Sequence, residues 1–272
     1  MRTITIENIS PMMARTLLEN SHEKQRKLRN SHVAMLKREM MDRKWRLSND
    51  SIVIAKGILC NGQHRLSALI EANMTLQFSV LRTDDDRIYE VLDNGMKRSI
   101  GNTLKTLDFI SRNHTNIGAC AQFVLDYQKG AIKVLGTSPD LRATRSEVIA
   151  FIKEKIILLD ECVCFAMGLY TKYMIGIPPR LGASLLVLSQ MKYAEPTVAK
   201  GRNFLFELYS GETEDRESAP WVLRERVRMT ARANKMNQNY LWCLIVKGFN
   251  AYVHGKKLGV IKMVEGEKVP EL

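Results

Sequence analysis

The pattern of the chain changes near residue 100, and that change does most to limit its fold. Before it, short extended runs alternate with helical ones. After it, apolar residues recur almost throughout at the spacing of helices. Thr3–Ile9 reads as a strand leading to a helix entry at Ser10-Pro11, where Met12, Met13, Leu17 and Leu18 form an apolar stripe. A helix over Ser31–Met41 offers Val33, Leu36 and Met40 to a sheet, its methionines serving as core packing. Trp45–Leu47 and Ile52–Ala55 read as extended, Lys56-Gly57 as a turn, and Ile58–Cys60 as the return. A helix beginning near Asn61 turns Leu66, Ala68, Leu69 and Ala72 inward. Leu76–Leu81 follows as a strand, and Ile88–Leu92 as another short element.

Beyond the change, Ile117–Tyr127, Glu147–Met167, Leu181–Met191, Val198–Leu208, Trp221–Ala233 and Tyr240–His254 read as helical, and Leu258–Val264 as a closing strand. The fold class is therefore α+β, with a mixed α/β module over 1–107 and a mostly helical domain over 108–272. A length of 272 residues suits one large or two smaller cores.

The junction Asn61-Gly62-Gln63-His64-Arg65 carries the most chemical information. Asn61 suits a helix cap, and Gly62 lets a ligand approach the backbone. Free amides and the dipole at a helix start receive phosphate, while Arg65 adds a cation with five donors. The plainer alternative for Arg65 is a surface salt bridge or a helix-stabilising cation. His64 suits phosphate donation, proton transfer or a structural hydrogen bond. Gln63 can orient phosphate, ribose or water, but is no general base.

A formal charge of +12, from 41 Lys and Arg against 29 Asp and Glu, favours polyanionic partners. Arg224, Arg228 and Arg232 recur at helical spacing, with Lys235 nearby and Lys256-Lys257 further on. They read either as a phosphate-tracking face or as an ordinary solvated one. Trp221, Tyr240 and Trp242 suit base stacking or, more simply, core packing. The five cysteines are too few for a disulfide scaffold, and Cys162-Val163-Cys164 lacks metal-ligand spacing. Asp84-Asp85-Asp86 reads as an exposed turn. No stretch looks membrane-spanning or like a signal segment, and a reducing cytoplasmic setting is expected.

The run Asn61–Leu69, with its Gly62-Gln63-His64-Arg65 core, resembles the ParB/sulfiredoxin-like superfamily, especially the ParB-like proteins of bacteriophages and mobile elements. Ile9-Ser10-Pro11 with Ala14, Leu17 and Leu18 is similar to that family's opening. The run through Val33, Met40, Lys44 and Trp45 resembles the helix before its nucleotide motif. Leu92–Ser99 resembles its Asp-x-Gly-x-x-Arg-Ser segment.

The resemblance covers most of residues 4–107 and implies a ParB/sulfiredoxin-like module binding ATP or CTP at Asn61, Gly62, Gln63, His64 and Arg65, extended by Lys97, Arg98 and Ser99. His64 and Asp93 would be its catalytic candidates, with Asp93 placing Mg2+; Asp93 suits a turn cap as well, and Lys97–Ser99 a solvated basic turn. Gln63 stands where ParB proteins often carry Glu, which removes a carboxylate used in CTP hydrolysis. It also stands where sulfiredoxins carry Cys, which argues against sulfinic-acid reduction. No helix-turn-helix pair follows the module.

The expected function is nucleotide-dependent work on DNA, another nucleic acid or its precursors in a phage-infected bacterium, through phosphoryl transfer or NTP hydrolysis. The alternatives are a non-catalytic, nucleotide-gated DNA-binding or assembly protein, and a structural or host-interaction protein. Self-association is allowed; a membrane partner is not expected.

Overall fold

A computed structural model of the chain describes residues 2–22, 27–85, 88, 100, 104, 112–233 and 236–272. It divides into two compact units, Met1–Lys97 and Arg98–Leu272. The boundary expected at 107/108 lies outside the described residues, as do most of Ile88–Leu92 and all of Asp93–Ser99. The architecture is α+β at the coarse level: a mixed α/β sheet region precedes a mostly helical one.

In the first unit, β1 (Arg2–Ile9) leads directly into α1 (Pro11–Glu19), and α2 (Asn30–Met41) follows. Ser10 caps α1 by accepting from the Met13 amide, and Pro11 occupies the first turn, where its missing N–H costs nothing. The hairpin of β2 (Ile52–Ala55) and β3 (Ile58–Asn61) turns at Lys56 and Gly57, both at positive φ, the twist that two-residue hairpins favour. Next come α3 (Gln63–Ala72) and β4 (Leu76–Thr83).

The strand order is β1-β4-β2-β3, with β4 antiparallel to β1 and parallel to β2. Helices α1, α2 and α3 cover one sheet face through Ala14, Val33, Leu36, Met40, Leu66 and Leu69, packed on Ile52, Ile54, Phe78 and Val80. A second row, Val53, Ala55 and Cys60 with Leu81, lies among a separate apolar group. Two expectations need correction here. Met12 is 75% exposed and Met13 43%, because α1 turns Ala14, Leu17 and Leu18 inward instead. Trp45–Leu47 forms no strand; Trp45 packs on Phe78 at 5.0 Å and donates its indole N–H to the Gln77 carbonyl.

The second unit contains α4 (His114–Gln128), a small hairpin of β5 (Ile132–Lys133) and β6 (Gly136–Thr137), then α5 (Arg145–Tyr173), α6 (Pro179–Lys192), α7 (Thr197–Ser210), α8 (Ala219–Ala233) and α9 (Gln238–Val253). The hairpin has no counterpart in the sequence expectations. Helix α6 is buried continuously from Leu181 to Ser189 and packs against α4, α5 and α7. Helix α5 starts with a reciprocal cap, in which Thr144 accepts from the Glu147 amide and Glu147 from the Thr144 amide. It changes direction at Lys155, whose backbone is non-helical.

Leu258–Val264 does not form the expected strand. Residues 256–272 run as an irregular strap on α9, fastened where Lys247 Nζ meets Glu267 at 2.8 Å and the Lys262 carbonyl at 2.9 Å. Among the described residues no helix is long and apolar enough to cross a membrane.

Candidate functional site

The start of α3 is built by the hairpin before it. Asn61 is the last residue of β3, paired with Val53, and its side-chain amide donates to the Ser51 carbonyl at 3.4 Å. It therefore does not cap α3. The N-cap is Gly62, at φ 114° and ψ 1°. That conformation strains any residue with a Cβ. A Cβ at Gly62 would also run into Cδ1 of Ile52, a fully buried side chain. The glycine is thus required by the chain's own packing, and Gly62 itself is buried.

His64 and Arg65, in the first turn of α3, reach two different segments. The His64 Nε2 accepts the Arg29 N–H at 3.0 Å, just before α2, and its ring lies 5.2 Å from that of His32. In that contact Nε2 serves as an acceptor, engaged by the chain's own backbone. The Arg65 guanidinium donates to the carbonyls of Asp50 and Ser51, the latter at 3.0 Å, just before β2. Consecutive motif residues therefore tie the α3 start to the start of α2 and the start of β2.

Chemically, this turn offers a helix dipole, with no side-chain cap from Gly62, beside an oriented cation and a histidine. Its Nε2, the nitrogen suited to take up a proton, is engaged by the Arg29 amide. Gln63 is half-buried at the same turn. Asp93, Lys97, Arg98 and Ser99 lie outside the described residues. Among the described residues, no group of three or more His, Cys, Asp or Glu is arranged to hold a metal ion. Arg29, His32 and the carbonyls of Asp50 and Ser51 were not anticipated. Backbone partners leave no trace in residue type, and His32 belongs to no recognised motif.

The basic set in the second unit is dispersed. Arg224 is half-buried and donates to the carbonyls of Leu208, at 3.0 Å, and Tyr209, in the last turn of α7. Desolvation lowers its pKa, with the neighbouring Arg228 adding to the effect. Arg224 thus stands as a cation at the C-terminal end of α7, its guanidinium bonded to backbone carbonyls. Arg228 is exposed and meets Glu225 at 3.0 Å. Lys257 meets Asp215 at 3.2 Å and Glu217 at 3.5 Å, while Lys256 is exposed. The Arg232 side chain and Lys235 lie outside the described residues.

Of the aromatic candidates, Trp242 is fully buried, edge-on to Phe123 and Tyr127. Tyr240 packs on the same core, and Trp221 lies under the Arg216 guanidinium at 5.8 Å. Cysteine chemistry is quiet: burial pushes the Cys120 and Cys162 thiols up to about 12 and Cys243 to about 11, away from the reactive thiolate. No protein-family model, curated protein or solved structure matches the chain.

Proposed function

We propose that the first unit is a ParB/sulfiredoxin-like nucleotide-binding module working as a binding switch, with the helical unit supplying the contact to nucleic acid. The order of elements supports this reading: the Gly62-Gln63-His64-Arg65 motif stands where a hairpin strand passes into a helix. A triphosphate at the first turn of α3 would meet the dipole and a guanidinium whose plane the Asp50 and Ser51 carbonyls already set.

One observation carries the switch: the bonds of His64 and Arg65 to two separate segments. A phosphate that repositions this turn alters both ties together, so binding energy passes to the starts of α2 and β2. Proton transfer fits less well, because the Arg29 amide engages the acceptor nitrogen of His64.

The test is to titrate the full chain with ATP, CTP and GTP in Mg2+, with and without DNA, and to assay products in the same samples. Nucleotide binding that shifts DNA affinity about tenfold or more without turnover supports the switch. Arg65→Ala should weaken nucleotide binding by about 10-fold or more while circular dichroism is unchanged. Steady nucleotide turnover would instead establish phosphoryl transfer or hydrolysis. Absence of binding to every nucleotide and to DNA would leave a structural or host-interaction protein.

A further inference from the structure

The two edges of the sheet in the first unit are treated differently. At the β3 edge, the segment after α1 lies against the strand: Leu59 donates to the Asn20 carbonyl at 2.8 Å, and His22 donates to the Leu59 carbonyl at 3.0 Å. At the other edge, β1 pairs with β4 alone among the described residues. Eight residues long, β1 keeps an unbroken register from Arg2 opposite Thr83 to Ile9 opposite Leu76, with no bulge and no proline. Short edges, bulges, prolines and inward charges are the usual means of preventing strand addition. The one carboxylate in β1, Glu7, is held by a bidentate contact to Arg82 on β4.

The side chains add direction. Ile4 is 68% exposed and Ile6 63%. Ile4 lies opposite Leu81, which in turn lies beside Val53, so an apolar row crosses three strands and ends in solvent at Ile4. An edge that is unpaired among the described residues calls for an extended strand, and its sequence indicates which one. Directly opposed residues of an antiparallel pair point to the same face, so isoleucines meet only in registers of the correct parity. A two-fold axis through Thr5 satisfies that condition. It sets Ile4 against Ile6 of the second copy, Thr5 against Thr5 of the second copy, and Thr3 against Glu7 of the second copy. Axes through Ile4 or Ile6 place Ile6 against Arg2 or Ile4 against Asn8 instead.

We propose that β1 pairs antiparallel with β1 of a second copy about a two-fold axis at Thr5, joining two four-stranded sheets into one. The Ile4–Leu81–Val53 row then continues through Ile6 of the second copy. The contact is isologous, so it closes at a dimer. Strand-edge pairing alone buries less than the roughly 1,200 Å² of a standard interface, so dissociation in the range of about 1–100 µM is expected.

The test uses the full chain by sedimentation equilibrium and by oxidative crosslinking. Wild-type protein should show a concentration-dependent dimer. Ile4→Lys with Ile6→Lys should raise the dissociation constant about 10-fold or more, with unchanged circular dichroism, since both positions are exposed. Thr5→Cys should crosslink copy to copy under mild oxidation, because symmetric opposite residues lie within disulfide reach. Asn8→Cys, opposite Arg2 in this register, should not. Crosslinking decides the matter even where the double lysine variant folds poorly. A chain that is monomeric at about 100 µM, a dimer indifferent to the two lysines, or equal crosslinking at positions 5 and 8 overturns the proposal.

Discussion

Arg65 and Arg224 use their guanidinium groups in the same way but sit at opposite electrical ends of a helix. Each donates to two successive backbone carbonyls, Asp50 and Ser51 for one, Leu208 and Tyr209 for the other. Arg224 thereby stands at the C-terminus of α7, where the helix dipole is negative and welcomes a cation. Arg65 stands in the first turn of α3, where the dipole is positive and a cation is disfavoured by about 0.3–1 kcal/mol. Carbonyl bonds and helix dipole thus act together on Arg224, whereas on Arg65 the carbonyl bonds act against the dipole. A basic residue becomes an anion candidate through the field it stands in, and counting charges along the chain does not reveal that field.

The strongest challenge to this contrast lies at the backbone beneath Arg65. Gly62→Ala should cost about 3 kcal/mol in the first unit, combining positive-φ strain with overpacking against Ile52. Denaturant melts should show it, and adding Ile52→Val should recover part of the loss. A cost below about 0.5 kcal/mol would mean that the α3 start is not held by this packing.

Arg224→Ala should cost about 2 kcal/mol in the second unit by removing two charged hydrogen bonds, with salt-dependent DNA affinity unchanged. A clear fall in that affinity would return Arg224 to a nucleic-acid face. Arg65→Ala should cost less, about 1 kcal/mol, because deleting a cation from a positive helix end returns some of what the carbonyl bonds gave.

The smallest effect separates carbonyl partners from carboxylate ones. The Arg82 hydrogen bonds beside Glu7 hold its carboxyl below the ordinary 4.5. A depressed folded-state pKa contributes stability that is present above that ordinary value and is lost as pH falls through the folded one. After allowance for solvent screening, Glu7→Gln should cost under about 1 kcal/mol at pH 7 and nothing in stronger acid. The Arg224→Ala cost should persist there, since carbonyls do not titrate. Equal pH dependence in the two variants would show that Arg224 relies on a carboxylate after all.

What the sequence revealed follows from the range of the forces involved. Ser10-Pro11 marks the start of α1 and Lys56-Gly57 the turn of the hairpin, because a cap and a two-residue loop are settled by adjacent residues. Helix α6 is legible in the apolar run Leu181–Met191, which the observed helix contains. Errors arose where the decision was made elsewhere in the fold. Asn61 has the chemistry of a cap, yet pairing with Val53 draws it into β3 and moves the cap to Gly62. Met12 and Met13 have core chemistry, but the packing of α1 on α3 selects Ala14, Leu17 and Leu18. The carbonyl partners of Arg224 depend on where α7 stops beside it, and no local pattern encodes that.

The strand order carries a consequence for synthesis. As the chain emerges from the ribosome, β1 comes first and β4 last among the described strands of this sheet, yet among them β4 alone pairs with β1. The β2–β3 hairpin can close early, whereas Ile4 and Ile6 must wait through the production of three helices and the hairpin before a strand of their own chain reaches them. During that interval β1 has both edges open to neighbouring polysomal chains, so crowded translation is the circumstance in which this sheet is most exposed to mispairing.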